Sequence, residues 1–173
     1  MTSPFEREET MIFGTLWKKI AWGIATCGGI GLTPKIPGTC GALLAVLSWN
    51  AGLSSLSALQ KGGLILGTSL LGGLAVMRFL RDTPQKDPPC VVIDELVGQW
   101  TALACVPPSA EAVGGAFLLF RLLDIWKRGG VRWIDAFSKR ADLSPPLAAT
   151  CIIGDDLLAG LEAGLCMLIL LSL

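Results

Sequence analysis

The chain alternates between long apolar segments and short polar breaks, and no stretch keeps the period-2 alternation of a half-buried strand. Leucine, alanine and glycine dominate the apolar segments, while charged residues, proline and glycine cluster between them. This pattern predicts an all-α protein. The first fifteen residues are charged and lack a hydrophobic region followed by a small-residue cleavage site. We therefore expect a flexible tail over residues 1–15 and no signal peptide.

Proline and glycine divide the remaining chain into six predicted helices. The first is amphipathic at its start and is a candidate for lying along a membrane interface. The second follows Pro37 and Gly38, where the Thr39 hydroxyl is a candidate cap for the orphan amides of the first turn. The predicted ranges are 16–31, 41–49, 62–81, 91–106, 109–126 and 148–173.

Composition indicates what kind of helical protein this is. A chain of 173 residues is the size of one domain, so we predict a single domain over residues 1–173. Hydrophobic residues make up 52% of the chain and charged residues only 16%, against about a quarter in average proteins. The apolar excess predicts a membrane-embedded multi-helix bundle. The net charge of zero gives no electrostatic reason to expect a nucleic-acid partner.

The residue types that are missing restrict the chemistry. The chain has no histidine, which excludes histidine metal sites and the triads that depend on a histidine base. Its six cysteines are scattered singly, most of them within apolar runs, and are expected to pack as small hydrophobic residues rather than to form disulfides or a zinc site. Catalysis would therefore depend on carboxylates.

The carboxylates fall at the ends of predicted helices. If consecutive helices alternate in direction, these ends meet at one face of the bundle, beside Thr39 and Lys127. Such a cluster suits a hard, oxygen-binding cation such as Mg²⁺, which is commonly shared with a substrate phosphate. Adjacent carboxylates diverge by about 100° around a helix, so neighbours in sequence are expected to have different roles. The acids at this face are Asp87, Asp94, Glu95, Asp124, Asp155 and Asp156.

The basic residues give an independent indication of orientation. Ten lysines and arginines fall on the acid-bearing face, whereas Lys61 alone falls at the far turns. Basic residues are retained on the cytoplasmic side of a bilayer, so the site is predicted to face the cytoplasm. Several segments are shorter than the roughly 20 residues that a membrane span requires, which leaves a soluble or monotopic bundle as an alternative.

Four ordered sequence blocks resemble the signatures of the bacterial phosphatidylglycerophosphatase A family. They are TPKIPGTCGALLA (33–45), DPPCVVIDELVGQW (87–100), FRLLDIWK (120–127) with VRW (131–133), and GDDLLAG (154–160). The resemblance implies a magnesium-dependent phosphatase of the bacterial inner membrane. It also implies the reaction, which is hydrolysis of phosphatidylglycerophosphate to phosphatidylglycerol and phosphate.

By position, the family's acidic signature falls on Asp94, Glu95, Asp124, Asp155 and Asp156, and its basic partners on Arg121, Lys127 and Arg132. The chain departs from the family pattern at Lys127-Arg128-Gly129-Gly130, where a K-P-W-P is usual. It also carries Ala148-Ala149-Thr150-Cys151 in place of a glycine-rich lead, and Ala42 in place of a serine. None of these changes removes a carboxylate.

A mechanism follows from these assignments. The expected Mg²⁺ ligands are drawn from Asp94, Asp124, Asp155 and Asp156, and the ion would clamp the phosphate oxygens. Glu95 or a neighbouring acid would orient or deprotonate water, although an aspartyl intermediate is an alternative. The remaining phosphate charge would be neutralised by Lys127, Arg121 and Arg132, with Thr39 beside the substrate.

Purely structural explanations are alternatives to the functional ones for these residues. Acids at a helix start gain about 0.3–1 kcal/mol from the helix dipole, and Asp124 could form a local ion pair with Arg121 or Arg128. At the level of the whole protein, the alternatives are an ion or solute transporter with intramembrane acids and a soluble phosphatase acting on a smaller ester. A transporter would hold its acids at mid-span, whereas here they fall at helix ends.

Overall fold

In a computed structural model, which describes residues 4–83, 85, 87–126 and 143–173, the chain forms a bundle of α-helices. Two short 3₁₀ turns, Ile30–Leu32 and Leu53–Ser55, lie in the connections. The described ranges contain no β-strand, which confirms the all-α prediction. The described ranges contain six α-helices, which are α1 (Pro4–Ala25), α2 (Pro37–Asn50), α3 (Ala58–Leu80), α4 (Ile93–Ala104), α5 (Ala110–Trp126) and α6 (Pro145–Leu171).

The helix starts differ most from the sequence prediction. The predicted cap at Thr39 is wrong, because α2 begins at Pro37, with Ile36 as the N-cap and no side-chain cap. Proline suits the first helical position, since its fixed φ is helical and that position needs no amide donor. α3 begins at Ala58 because Ser57 and Gln60 form a capping box in which each side chain accepts from the other's backbone N–H. α1 begins at Pro4, so it includes residues that the sequence assigned to the tail.

α4 is the central helix. It contacts α2, α3, α5 and α6, and nine of its twelve residues are buried. Its closest partner is α6, because glycines remove the side chains that would hold the two backbones apart. A Cβ at Gly160 would collide with the Gly98 carbonyl, and one at Gly164 would lie 2.7 Å from Cys105 Cβ. This packing places Asp156, one turn before Gly160, beside the start of α4.

The end of α1 is attached to the start of α4. The Val92 N–H donates to the Ala25 carbonyl at 2.9 Å. Gly31 lies against the Cys90 carbonyl so closely that a Cβ there would collide with it. These contacts hold the chain leading into α2 beside the first turn of α4, where two carboxylates occur.

The apolar surface is concentrated on long helices. Within the described part of the chain, α3 is the one helix that is long and apolar enough to cross a membrane. Most of it is not buried by other helices, and its exposed leucines include Leu66, Leu70 and Leu71. The structure thus supports one span by length and composition, fewer than the embedded bundle expected from the sequence.

Candidate active site

A polar pocket of about 410 Å³ opens where the N-termini of α2 and α4 meet the C-terminus of α5. α6 contributes Asp156 from its fourth turn. The predicted convergence of acids at one end of the bundle is therefore observed for these elements. The lining residues are Lys35, Ile36, Pro37, Gly38, Thr39, Asp87, Pro88, Pro89, Val91, Asp94, Glu95, Arg121, Asp124, Ile125 and Asp156.

Three carboxylates form the centre of the pocket. Asp94, Glu95 and Asp156 each offer an oxygen within 4.8 Å of the other two. The expected divergence of Asp94 and Glu95 does not separate their oxygens, since each offers one oxygen within 4.8 Å of the other. Adjacent residues on α4 thus contribute to the same cluster.

Burial makes this cluster electrostatically unfavourable without a positive charge. The pKa of Asp94 is raised well above its ordinary value, first by burial and then by the Glu95 charge. Burial, followed by the Asp156 charge, raises the pKa of Glu95 to about 8. Asp94 Oδ1 and Glu95 Oε2 are buried and have no hydrogen-bond partner among the described residues.

The donor set fits a hard divalent cation. Three carboxylate oxygens are ligands of the kind that Mg²⁺ and similar ions prefer, and Asp94 and Glu95 each have a buried oxygen without a hydrogen-bond partner among the described residues. Asp94, Glu95 and Asp156 are the residues that can hold such an ion. Its positive charge would compensate the desolvation that the three carboxylates experience together.

Arg121 lines the same pocket, and its charge acts on Glu95. Its Nη1 donates to Asp124 Oδ2 at 2.7 Å, which forms a mostly buried ion pair on α5. Its Nε is buried and has no hydrogen-bond partner in the described structure. The guanidinium therefore retains donor capacity while Asp124 holds it in place.

The first turn of α2 forms the wall opposite the acids. A Cβ on Gly38 would collide with Glu95 Oε1 and lie 3.1 Å from Arg121 Nη2. Glycine at this position therefore allows the helix backbone to approach both groups. Since α2 begins at Pro37, the amides of Gly38 and Thr39 have no intrahelical carbonyl partner, and such amides favour an anion.

The remaining predicted residues have varied positions. Asp124 lines the pocket but lies outside the three-carboxylate group, and Asp155 is buried on α6 outside both the group and the pocket lining. Thr39 lines the pocket and is half-buried. Lys127 and Arg132 lie outside the described residues, so their predicted roles stay predictions.

Sequence reasoning gave no role at the site to two contributors to the pocket, although it placed one of them, Lys35, on the acid-bearing face. Gly38 was used only as a helix-start signal, although it determines the approach of α2 to Glu95. Lys35 lines the pocket with φ of 75°, a left-handed conformation that is unusual for a residue other than glycine. Both lie in the segment TPKIPGTCG, whose dense Pro and Gly content was the available signal.

Comparison with known proteins decides the family. The sequence profile of the phosphatidylglycerophosphatase A family matches residues 23–171. The chain belongs to this family. The enzyme is therefore a phosphatase, and its four signature blocks contribute most of the pocket described above.

Individual relatives agree with the assignment. The chain is 32% identical over 117 residues to the Escherichia coli K12 phosphatidylglycerophosphatase A. The aligned residues make up 66% of this chain and 67% of that protein. A phosphatidylglycerophosphatase A of Haemophilus influenzae Rd is 33% identical over 111 residues, or 62% of this chain and 66% of its own. A Bacteroides thetaiotaomicron protein, provisionally named a phosphatidylinositol-3-phosphatase, is 34% identical over 143 residues, or 79% and 84% of the two chains. No solved structure matches the chain.

Proposed function

We propose that this phosphatase is magnesium-dependent and hydrolyses phosphatidylglycerophosphate to phosphatidylglycerol and phosphate at a membrane. The observation that carries the proposal is the convergence of Asp94, Glu95 and Asp156 in a pocket that also holds Arg121. A cation site beside an arginine suits a dianionic phosphate monoester, which needs positive charge on several of its oxygens. The identity of the lipid substrate is proposed from the names of two relatives.

Three residues are the proposed metal ligands. Asp94, Glu95 and Asp156 would hold the ion. This set omits Asp124 and Asp155, which the sequence offered as ligands, and adds Glu95, to which the sequence assigned only the water. When bound there, Mg²⁺ would supply positive charge to the phosphate oxygens. Asp155 is instead proposed to influence the cluster through its negative charge, which contributes to the raised pKa of Asp94.

The other pocket residues would bind the phosphate. The free Nε of Arg121 and the unpaired first-turn amides of Gly38 and Thr39 are donors that face an anion. Asp124 would position the guanidinium through their 2.7 Å hydrogen bond. Lys35 would add a charge at the rim, and Lys127 and Arg132 retain the phosphate-binding roles that the resemblance implies.

Water is the proposed nucleophile. The chain has no histidine, and none of its cysteines lines the pocket. The nearby Cys27 is a poor nucleophile, because burial raises the pKa of its thiol to about 12. Glu95 is proposed to orient the water, and a carboxylate phosphoenzyme is the alternative.

Location in the bacterial inner membrane, with the pocket on the cytoplasmic side, completes the proposal. α3 has the length and composition of a span, and the chain order assigns most basic residues to the pocket end of the bundle and Lys61 to the other. Substrate phosphate would then be presented to the pocket from the cytoplasmic leaflet.

Phosphate release from defined lipids tests the function. The purified full-length enzyme in mixed micelles should release phosphate from phosphatidylglycerophosphate with MgCl₂ and should stop releasing it when EDTA is added. Phosphatidylinositol 3-phosphate is the comparison substrate, given the name of the Bacteroides relative. Preference for that lipid would contradict the proposed substrate, and full activity in EDTA would contradict the proposed dependence on magnesium. Lack of activity on both lipids, with turnover of a soluble monoester, would favour the soluble-phosphatase alternative.

A further inference from the structure

Two rows of exposed apolar side chains begin at the mouth of the pocket. On α2 the row consists of Ile36, Leu43 and Leu47, and on α5 it consists of Ile125, Leu122 and Leu118. Ile36 and Ile125 belong to both features, since each also lines the pocket. They are the two large exposed apolar side chains among its described lining residues.

Helix geometry makes each row continuous. On α2, Leu43 and Leu47 are four residues apart, and on α5 Leu118 lies four and seven residues before Leu122 and Ile125, so each set lies on one face of its helix. Ile36 is the N-cap residue immediately before α2. α2 leaves the pocket at its N-terminus and α5 reaches it at its C-terminus, so both rows lead away from the pocket. The two helices contact each other and both pack on α4.

The length of the rows matches one half of a bilayer. The eleven residues from Ile36 to Leu47 rise about 16 Å along the helix axis. Half of a hydrocarbon core is about 15 Å thick. A head group in the pocket would therefore lie at the membrane surface while this apolar surface extends through one leaflet.

We propose that these two rows bind the acyl chains of the phospholipid whose phosphate occupies the pocket, an inference that rests on the proposed function. The chains are covalently joined to the head group, so they must leave the pocket through its mouth. Lys35 and Asp87, which also line the pocket, are exposed and charged, so they offer no apolar surface to a chain. Apolar chains would follow the path that Ile36 and Ile125 open, because burial of methylene groups there is favourable.

A second apolar groove is the competing location. It lies between α3 and α6, has a volume of about 620 Å³, and includes Leu66 and Leu70 in its lining. It shares no lining residue with the pocket, so it offers no continuous surface to a chain attached at the pocket. It also supplies matched control positions, since Leu66 and Leu70 are 61% and 62% exposed, against 59% and 68% for Leu47 and Leu118.

Kinetics with and without acyl chains test the inference. The double variant Leu47→Gln/Leu118→Gln should raise the KM for phosphatidylglycerophosphate about tenfold with kcat within about twofold, since tenfold corresponds to about 1.4 kcal/mol of lost contact. Its hydrolysis of the deacylated, water-soluble head group should equal that of the wild type. The control Leu66→Gln/Leu70→Gln should match the wild type on both substrates.

The outcomes separate this inference from the function. An unchanged lipid KM in the α2/α5 variant, or an equal rise in the α3 control, would overturn the acyl path while phosphatidylglycerophosphate turnover by the wild type still stands. Failure of the wild type to hydrolyse the lipid or its head group would overturn the proposed function, and the path with it.

Photocrosslinking supports the test if a variant does not fold. Phosphatidylglycerol with a diazirine near the end of one chain would be incorporated into micelles with the wild-type enzyme and irradiated. Peptides from α2 and α5 should carry most of the label, and excess unlabelled phosphatidylglycerol should remove it. Label mainly on α3 or α6 would overturn the path.

Discussion

Gly38 determines how closely the first turn of α2 approaches the acidic cluster. Its missing side chain leaves the space that Glu95 Oε1 and Arg121 Nη2 occupy. Alanine is the better helix former by about 1 kcal/mol, so a functional effect of Gly38→Ala would come from the site and not from the helix.

We predict that Gly38→Ala lowers kcat/KM by up to about 100-fold, because a displacement of roughly 1 Å among positioned groups has effects of that size. Phosphate release and the far-UV circular dichroism spectrum would be measured together. Gly62→Ala is the matched control, since a Cβ there meets nothing within 4 Å on exposed α3. Full activity of Gly38→Ala would mean that the close approach of α2 to Glu95 is not needed for catalysis.

The carboxylates give a second prediction at this scale. Asp94→Asn and Asp156→Asn should each lower turnover by about 10²–10³-fold, since each removes a charged ligand and leaves the size of the side chain unchanged. The thermal midpoint of the wild type should rise by several degrees with saturating MgCl₂, and that rise should disappear in both variants. Asp82→Asn is the control, because Asp82 pairs on the surface with Arg78 and Lys18. A preserved magnesium-dependent rise in either variant would contradict the ligand assignment.

Much of this residue-scale chemistry was predictable. Carboxylates without histidine indicated an oxygen-ligated cation, and Asp94, Glu95 and Asp156 do converge. The sequence could not separate them from Asp155, because two adjacent residues on a helix differ only in the direction of their side chains. That direction depends on which neighbour α6 packs against.

At the scale of elements, the contact between α4 and α6 holds the cluster together. Asp156 reaches the other carboxylates only because Gly98 and Gly160 allow the two backbones to approach. A Cβ on Gly160 would collide with the Gly98 carbonyl, which is backbone and cannot rotate away.

We predict that Gly160→Ala destabilises the enzyme by about 1–3 kcal/mol, the usual range for overpacking, and also lowers activity because Asp156 moves with α6. Denaturant unfolding and phosphate release would be compared. Gly154→Ala, on the same helix with nothing within 4 Å of its Cβ, should be active and slightly more stable. Equal stability of the two variants would contradict the close contact.

Helix existence was more predictable than helix starts. The apolar periodicity located α2 to α6 correctly, but the predicted cap at Thr39 gave way to Pro37, and the glycine pair 62–63 concealed the start of α3. Several local signals compete at a helix start, and each contributes only about 1 kcal/mol, so packing chooses among them.

For the whole molecule, the uneven distribution of basic residues predicts one orientation in the membrane. Ser55 lies in the turn before α3, and Gln85 lies in the connection after it, and both are exposed. Because α3 is the candidate span, these positions would lie on opposite sides of the bilayer.

We predict that a cysteine at Ser55, in a background without native cysteines, reacts with an impermeant thiol reagent added to intact cells. A cysteine at Gln85 should react only after the inner membrane is opened. Phosphatase activity of both variants would show that they are folded. Labelling of Gln85→Cys from outside would reverse the orientation, and protection of both would favour a monotopic or soluble protein.

Periodicity, residue types and ordered motifs are local properties of the chain, so they were enough to predict the helical class, a cluster of carboxylates and the family. The folded arrangement was needed to find which carboxylates share one space, that Gly38 is the wall opposite them, and that Ile36 and Ile125 connect the pocket to an apolar surface. These are distances between residues far apart in sequence. They depend on how closely helices pack, which the presence or absence of a few side-chain atoms at Gly38, Gly98 and Gly160 controls.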